Sequence, residues 1–250
     1  MVGLSNREEQ IIALLVQDGE LSVNQLSSSL GVSAVTIRSD LRSLETKGVI
    51  NRSHGSAMVA YHPTFMEKQS SNIETKKRIA QAAAQMISDG DKIMITNGTT
   101  SAFIAKYLYG KRDVQIVTNS TLLSAYVRGN PNISLTMVGG EFRPSAEALV
   151  GPLTLAQLEQ YHVGITFAGT DGFSLTHGLT TPLTENAEIV RRMCSQATTK
   201  VVVADSTKFN QIGFVRICSL EDIDVLITDS NLVDSAVKEI EGLGIKLIIV

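Results

Sequence analysis

Five short polar segments carry the residues of this chain that could bind a small ligand. Each follows a run rich in valine and isoleucine, and they read TNGTTS, TNS, VGGEFRPS, AGTDGF and ADSTKF (96–101, 118–120, 138–145, 168–173 and 204–209). Small residues let backbone N–H groups come close to a ligand, and the hydroxyl groups add further donors. Together these segments predict a site for a polar, anionic small molecule.

The first segment is the best candidate for an oxyanion such as phosphate. Asn97, Gly98, Thr99 and Thr100 lie between a predicted strand and the start of a predicted helix, where N–H groups lack helical partners. Lys208, in another segment, could supply the counter-charge. The segment matches neither common glycine-rich phosphate motif. A turn followed by a helix cap accounts for the same residues and stays open as an alternative.

The other segments add candidates of two kinds. Asp171 and Asp205 could accept hydrogen bonds from sugar hydroxyls, although turn formation competes as an explanation for both. Glu185 opens a predicted helix and either faces the ligand or only favours the helix dipole. Small and polar residues would line the rest of the site, although the two adjacent glycines also fit a tight bend: Thr118, Asn119, Ser120, Gly139, Gly140, Gly169 and Gly172.

A second kind of chemistry is indicated by a helix predicted to begin after Ser33. Apolar residues recur there at spacings of four and three from Ile37, which predicts one buried stripe. The opposite side carries valine, serine and arginine, with no acid in the first turn, which fits a DNA-contacting face. An ordinary exposed surface of a three-helix unit stays open as an alternative. Asp40 lies toward the stripe and is expected to pair with a base such as Arg52. The DNA-contact candidates are Ser33, Val35, Thr36, Arg38, Ser39 and Arg42, with Arg52 and His54 on a wing.

The elements that must position these residues form two groups. Helices predicted from 6 to 17, after Ser22 and after Ser33, followed by two extended runs, indicate a winged helix-turn-helix over 1–59. Residues 60–74 are polar and predict a linker. From 75 to 250, a helix is followed by seven apolar runs that mostly alternate with helical stretches. This pattern predicts an α/β fold with a mainly parallel sheet, whose ligands bind at the carboxyl ends of the strands.

Composition narrows the function classes. The chain has 250 residues, 43% of them hydrophobic, and a formal net charge of −3, so overall charge does not indicate a nucleic-acid partner. Two cysteines are too few for a disulfide framework, and the four histidines form no metal-ligand pattern. We therefore expect no metal and no cofactor. Without a membrane-spanning run or a signal-peptide core, a cytoplasmic protein is expected.

Motifs in both halves resemble one protein family. The stretch VSAVTIRSDLRSLETKGVINRSHGSA (32–57) resembles the N-terminal domain of DeoR-family transcriptional repressors, and the five ligand segments, with GLTTP (178–182), resemble that family's sensor domain. The resemblance implies a winged helix that binds double-stranded operator DNA. It also implies a sensor domain similar in fold to ribose-5-phosphate isomerase. A phosphorylated sugar or sugar alcohol would be the effector, with Thr181 among its contacts.

The interpretation that follows is a repressor of a carbohydrate-utilisation operon that its effector releases from DNA. Two half-sites one helical turn apart require a homodimer or tetramer. Two alternatives stay open. One is a sugar-phosphate isomerase-like enzyme with carboxylates as its acid and base. The other is a DNA-binding regulator without a working pocket, since Thr96 and Val190 depart from the family pattern.

Overall fold

The computed structural model describes residues 4–53 and 55–250. It divides the chain into two compact units, one ending at Ser71 and the other beginning at Asn72. Each unit has its own buried apolar cluster or clusters.

The N-terminal unit is a winged helix-turn-helix, as predicted. Its helices surround a core of aliphatic side chains that are almost completely buried, including Ile11, Leu15, Leu26, Ile37, Leu41 and Leu44. Its wing is an antiparallel sheet in the order β1-β3-β2. The elements are α1 (Asn6–Asp18), β1 (Leu21–Ser22), α2 (Val23–Leu30), α3 (Ala34–Thr46), β2 (Ile50–Ser53), β3 (Ser56–Val59) and α4 (Pro63–Ser70).

Local sequence signals fix the ends of the first three helices. The hydroxyls of Ser5, Ser22 and Ser33 each accept a hydrogen bond from the backbone N–H three residues later, so each serine caps a helix. Gly31 ends α2 in the left-handed conformation at φ 66°, where glycine avoids the strain of a Cβ atom. The turn between α2 and α3 is therefore encoded by these residues.

The segment 60–74, expected to be a linker, contains a helix. Pro63–Ser70 form α4 and bury Phe65 and Met66. Met66 packs in the same apolar cluster as the helix-turn-helix. A proline at the first helical position and these two apolar side chains favour the helix over the polar coil that the mixed composition suggested.

The second unit contains a seven-stranded, fully parallel sheet in the order β15-β14-β12-β9-β4-β5-β6. Ile93, Met94 and Ile95 of β4 are all fully buried, and because successive side chains point to opposite faces, both faces are covered there. The elements are α5 (Ile73–Gln85), β4 (Lys92–Ile95), α6 (Thr99–Lys106), β5 (Val114–Thr118), α7 (Leu123–Val127), β6 (Ile133–Met137), β7 (Glu141–Arg143), β8 (Ala148–Val150), α8 (Pro152–Leu158), β9 (Val163–Gly169), β10 (Gly172–Ser174), β11 (Gly178–Thr181), α9 (Thr184–Ser195), β12 (Ala197–Val203), β13 (Val215–Cys218), β14 (Val225–Thr228), α10 (Asp234–Gly242) and β15 (Lys246–Ile249).

Strand order locates the natural ligand crevice of this sheet. The chain enters the sheet at β4, builds β5 and β6 on one side, and then crosses to β9 and the later strands on the other side. The direction of winding therefore reverses between β4 and β9. In open parallel sheets a crevice forms at this switch point, beyond the carboxyl ends of the strands. Residues after Ile95 and after Ala168 meet there.

Two smaller sheets flank the carboxyl edge and were not predicted. β7 and β8 form an antiparallel hairpin, and β10, β11 and β13 form an antiparallel sheet. Their strands have three or four residues and lack the valine- and isoleucine-rich runs that revealed the main sheet. They carry several of the polar residues described below.

Candidate functional site

The outward face of α3 is arranged as the sequence predicted. Val35 is 73% exposed, and Arg38, Ser39 and Arg42 are exposed as well. An exposed aliphatic side chain on this face could contact a thymine methyl group. Ser33 differs from these four, because its hydroxyl caps the helix at Thr36 N (3.2 Å) and lies 2.9 Å from the Thr36 hydroxyl.

Ion pairing separates the basic side chains of the N-terminal unit into two groups. Arg7 pairs with Asp40 (2.6 Å), Lys47 with Glu8 (2.8 Å), and Arg52 with Glu45 (3.3 Å). In the described part of the unit, Arg38 and Arg42 have no carboxylate within ion-pair distance. Of the predicted DNA-contact cations that the structure describes, these two are thus the ones free to meet phosphates or bases. His54 lies outside the described residues.

One pairing prediction was wrong. Asp40 is indeed paired internally, but its partner is Arg7 of α1, which donates from Nε (2.6 Å) and Nη2 (3.0 Å), and not Arg52. Packing of α1 against α3 brings Arg7 to the first half of α3. Arg52, on β2, instead donates to Glu45 near the end of α3 (3.3 Å).

Glu8 holds α1 against α3, the helix with the predicted DNA-contacting face. Its carboxylate accepts hydrogen bonds from Ser5 N (2.7 Å), Ser43 Oγ (2.7 Å) and Lys47 Nζ (2.8 and 2.9 Å). Burial raises its pKa, but the bonds from Lys47, Ser5 and Ser43 outweigh burial and lower the pKa from 4.5 to about 2. A solvated surface acid would not be held in this way, so Glu8 fixes the position of α3.

Open donor groups lie at the switch point of the seven-stranded sheet. The backbone N–H groups of residues 98–101, and the hydroxyls of Thr99 and Thr100, have no acceptor within the described chain. Ser101 is fully buried, and its Oγ also has no partner there. A Cβ atom built on Gly169 would lie 2.9 Å from that oxygen, and one on Gly98 3.3 Å from it. We call this group, residues 98–101 with Gly169, the anion cradle.

Three predicted lining residues lie beneath the cradle. Asn119 accepts from Asn97 N (2.9 Å) and donates to Asn97 Oδ1 (3.1 Å). Thr118 donates to the Ile95 carbonyl (2.6 Å) and accepts from Ser120 N (3.0 Å). Thr118, Asn119 and Ser120 are fully buried, and of the three it is Asn119 that holds the Asn97 turn in place.

Thr96 and Val190, which depart from the family pattern, are both enclosed. The Thr96 hydroxyl accepts a hydrogen bond from Gly169 N (3.0 Å), which ties the two strands of the switch point together. Val190 is 1% exposed and packs in the apolar cluster under α9. Neither side chain therefore leaves a gap in the cradle.

The segment 204–209 lies on a second side of the candidate site. It is held in place by a residue that was not predicted from the sequence. Asp205 is buried, accepts from Thr207 N (3.2 Å) and Asn72 Nδ2 (3.3 Å), and starts a short 3-10 helix that ends at Lys208. Buried Asp229, not predicted, accepts from Ser206 N (2.7 Å) and Oγ (2.9 Å). Burial raises the pKa of Asp229, but these bonds and one from Asn231 N outweigh burial and lower it.

Lys208 and a second lysine bring positive charge to this edge of the sheet. Lys208 is half-buried and has no carboxylate within ion-pair distance in the part of the chain that the structure describes. Lys76 is 3% exposed and follows Asn72, which contacts Asp205, by one helical turn on α5. Sequence reasoning missed Lys76, although it falls on the apolar stripe of α5 with Ile79 and Ala80, an unusual place for a lysine.

Gly139 and Gly140 pack closely against neighbouring backbone and side chains. Gly139 N donates to Gln157 Oε1 (2.8 Å), and Thr154 Oγ1 donates to the Gly139 carbonyl (2.7 Å). A Cβ atom on Gly140 would overlap the Thr154 hydroxyl and lie 2.6 Å from the Val150 carbonyl. These contacts match the tight-bend alternative. Gly172 likewise packs against the backbone at Gln211.

The remaining predicted carboxylates have side-chain partners within the site. Thr181 Oγ1 donates to Asp171 Oδ2 (2.8 Å). Glu185 forms an ion pair with Arg143 of the β7–β8 hairpin. Asn186 Nδ2 donates to Thr181 Oγ1 (3.3 Å). Arg143 and Asn186 were not predicted, because no pattern in the sequence links the hairpin to the start of α9.

Across residues 4–53 and 55–250, no group of three or more histidine, cysteine, aspartate or glutamate side chains is arranged to hold a metal ion. Over the same residues, the helices are too short or too polar to span a bilayer.

A winged helix-turn-helix unit followed by a parallel α/β unit is an architecture of DNA-binding proteins that carry a second domain. The chain matches the DeoR C terminal sensor domain over residues 71–230 and the DeoR-like helix-turn-helix domain over residues 7–62. The protein therefore belongs to the DeoR family and is a DNA-binding regulator of transcription.

The chain is also similar to individual relatives and to a solved structure. The chain is 32% identical to a putative aga operon transcriptional repressor of Escherichia coli, covering 100% of this chain and 95% of the relative. It is 34% identical to the transcriptional regulator GlpR of Haloferax volcanii, covering 98% and 97%. It is also similar to ribose 5-phosphate isomerase from Plasmodium falciparum, at 18% identity and a TM-score of 0.40, covering 56% of this chain and 55% of the isomerase.

Proposed function

We propose that this protein represses a carbohydrate-utilisation operon and leaves its operator when a phosphorylated sugar or sugar alcohol binds the sensor unit. The observation that carries the proposal is the anion cradle, a set of donors without acceptors at the switch point of a parallel sheet.

A phosphate group fits the cradle chemically. Its oxygens would accept from the N–H groups at the start of α6 and from the hydroxyls of Thr99, Thr100 and Ser101. The helix dipole favours negative charge at the same place. Lys208 adds a charge-assisted bond from the neighbouring segment 204–209. A neutral ligand would use the hydrogen bonds but would gain nothing from these two charges.

On the DNA side, we propose that Val35, Ser39 and Arg42 contact base edges, while Arg38 and Thr36 contact phosphates. Arg52 and His54 would contact DNA from the wing. A homodimer or tetramer would present two such units to two half-sites. The proposed location is the cytoplasm, where the operator and phosphorylated sugars are both accessible.

Release follows from linkage between the two binding events. If the ligand binds the DNA-free arrangement better, operator affinity falls by the same factor, typically a coupling of about 1–3 kcal/mol. The name of one relative supports sugar control: the lactose phosphotransferase system repressor of Lactococcus lactis, which is 29% identical. The putative aga operon transcriptional repressor of Escherichia coli supports control of an operon.

The effector claim is tested by thermal unfolding with a panel of sugar and sugar-alcohol phosphates and their unphosphorylated forms. A ligand at about 100 times its Kd stabilises the folded sensor by about 2.7 kcal/mol. We expect at least one phosphate to raise the unfolding temperature and its unphosphorylated form to have no effect.

Two glycines of the same strand provide a variant and its control. Gly169→Ala would place a Cβ atom 2.9 Å from Ser101 Oγ and narrow the cradle, whereas a Cβ atom on Gly164 would lie at an ordinary 3.8 Å from the Lys92 carbonyl. Gly169→Ala should abolish the ligand shift, and Gly164→Ala should retain it. A panel without any stabilising phosphate, or equal shifts in both variants, would contradict the proposed site.

A further inference from the structure

A second polar cluster lies beside the anion cradle. It consists of Arg143, Asp171, Thr181, Glu185 and Asn186, joined by the Arg143–Glu185 ion pair and by hydrogen bonds from Asn186 to Thr181 and from Thr181 to Asp171. We call it the hairpin cluster, because Arg143 comes from the β7–β8 hairpin. Its other members lie on β11, on α9 and in the loop after β9.

Short connections place this cluster next to the cradle. Asp171 follows Gly169 of the cradle by two residues. On the other side, Asn97 Nδ2, just before the cradle, approaches the Ala146 carbonyl at 3.5 Å, three residues after Arg143. A ligand with its phosphate in the cradle would therefore extend its carbon chain toward the hairpin cluster.

Two buried atoms of the cluster have no partner among the described residues. They are Arg143 Nε, which can only donate, and Asn186 Oδ1, which can only accept. Hydroxyl groups suit both atoms, because a hydroxyl oxygen accepts a hydrogen bond from Arg143 Nε and a hydroxyl hydrogen is donated to Asn186 Oδ1. Water has the same two functions, so sugar hydroxyls would replace it, whereas a ligand lacking those hydroxyls would leave two buried groups unpaired.

Charge distinguishes this cluster from the cradle. The Glu185 carboxylate neutralises the Arg143 guanidinium, and Asp171 adds a further negative charge. A second phosphate placed here would therefore meet two carboxylates and one guanidinium. The cluster suits hydroxyl groups and disfavours a second dianion.

We propose that the hairpin cluster binds hydroxyls of the effector, with Arg143 and Asn186 as specificity-determining residues, and that Glu185 excludes bisphosphorylated sugars. This inference rests on the proposed function, because it assumes that the ligand's phosphate occupies the cradle. It adds a requirement that the cradle alone does not impose: one phosphate and a neutral polyhydroxylated chain.

The test is calorimetric titration of the full-length protein with inorganic phosphate, with glycerol 3-phosphate, ribose 5-phosphate, fructose 6-phosphate and sorbitol 6-phosphate, and with fructose 1,6-bisphosphate. We expect at least one polyol monophosphate to bind about tenfold or more tightly than inorganic phosphate, and more tightly than the bisphosphate. Asn186→Leu should remove this advantage while leaving the affinity for inorganic phosphate unchanged.

Glu185→Gln gives a second, independent measurement. Without the carboxylate, the Arg143 charge is no longer neutralised, so affinity for fructose 1,6-bisphosphate should rise about tenfold relative to the monophosphates. Glu188→Gln makes the same change at an exposed position three residues further along α9 and should have no effect. If the relative affinity for fructose 1,6-bisphosphate rises in both variants, or in neither, the proposed role of Glu185 is wrong.

The outcomes separate this inference from the proposed function. If inorganic phosphate binds but no polyol phosphate binds more tightly, the hairpin cluster is not a hydroxyl site and the cradle stands. An equal loss of affinity for inorganic phosphate and for the polyol phosphate in Asn186→Leu would also overturn the inference. If none of the probes binds, the cradle and the hairpin cluster both fail.

Discussion

Replacing Glu8 by glutamine should loosen the recognition helix α3 without touching the DNA-facing side chains. The pKa of Glu8 is lowered from 4.5 to about 2, which corresponds to about 3 kcal/mol at 1.36 kcal/mol per unit. Lys47, its charged partner, keeps 36% of its side chain exposed, so solvent screening reduces the value. We expect Glu8→Gln to destabilise the N-terminal unit by about 1.5–2 kcal/mol.

Amide hydrogen exchange measures this loss of stability separately for each part of the chain. A change of about 1.5–2 kcal/mol is a factor of about 10–30 in an opening equilibrium, so amides of α1 and α3 should exchange faster by that factor. Amides of the sensor sheet serve as an internal reference and should be unchanged. Glu9→Gln removes a neighbouring exposed acid of α1 and should leave both helices within a factor of about two.

The pH dependence identifies the charge as the cause. Because folding lowers the pKa of Glu8, its contribution is fully present above the unfolded pKa near 4.5 and is lost as the pH falls toward 2. The difference between Glu8→Gln and the parent should therefore be large at neutral pH and smaller at pH values below 4.5. Equal exchange of the two proteins at neutral pH, or the same difference at both pH values, would refute the reasoning.

Three further predictions concern the DNA face, the backbone and the thiols. Arg42→Ala should cost about 1–3 kcal/mol of operator binding and relax discrimination at one base pair; fluorescence anisotropy showing an equal loss on unrelated DNA would contradict a base contact. Gly140→Ala should destabilise the sensor by about 1–3 kcal/mol in thermal unfolding through overlap with the Val150 carbonyl, whereas Gly242→Ala, with open space around it, should be neutral or stabilising. Burial raises the pKa of Cys194 to about 12 and of Cys218 to about 11, so alkylation near neutral pH should be about 1000-fold slower at Cys194 and about 100-fold slower at Cys218 than in the unfolded chain; equal rates would contradict this.

The spacing of apolar residues and the residues that cap helices were enough to predict most of the fold. Serine caps, the glycine at the end of α2 and the apolar stripes each act within a few residues, so the winged helix and the alternation of strands and helices could be predicted. The helix at Pro63–Ser70 could not, because only its contacts with the helix-turn-helix core distinguish it from a polar linker. The three-residue strands of the hairpin were also too short to carry a pattern.

The loops that form the candidate site could be predicted from the sequence, but the contacts of the individual side chains could not. Strand-end glycines and hydroxyls marked the cradle, because backbone donors at a helix start depend on local sequence. Partners depend on distant packing: Arg7 with Asp40 joins residues 33 apart, and Arg143 with Glu185 joins residues 42 apart. No spacing rule connects such pairs.

The most direct test of the central claim measures operator binding and ligand binding together. Labelled DNA from the region upstream of the gene would be titrated with the protein by fluorescence anisotropy, with and without the phosphate that stabilises it, at constant ionic strength. The account predicts that this phosphate raises the Kd for DNA about 5- to 150-fold, and that Gly169→Ala binds DNA but does not respond. An unchanged Kd in the presence of a bound phosphate would contradict it.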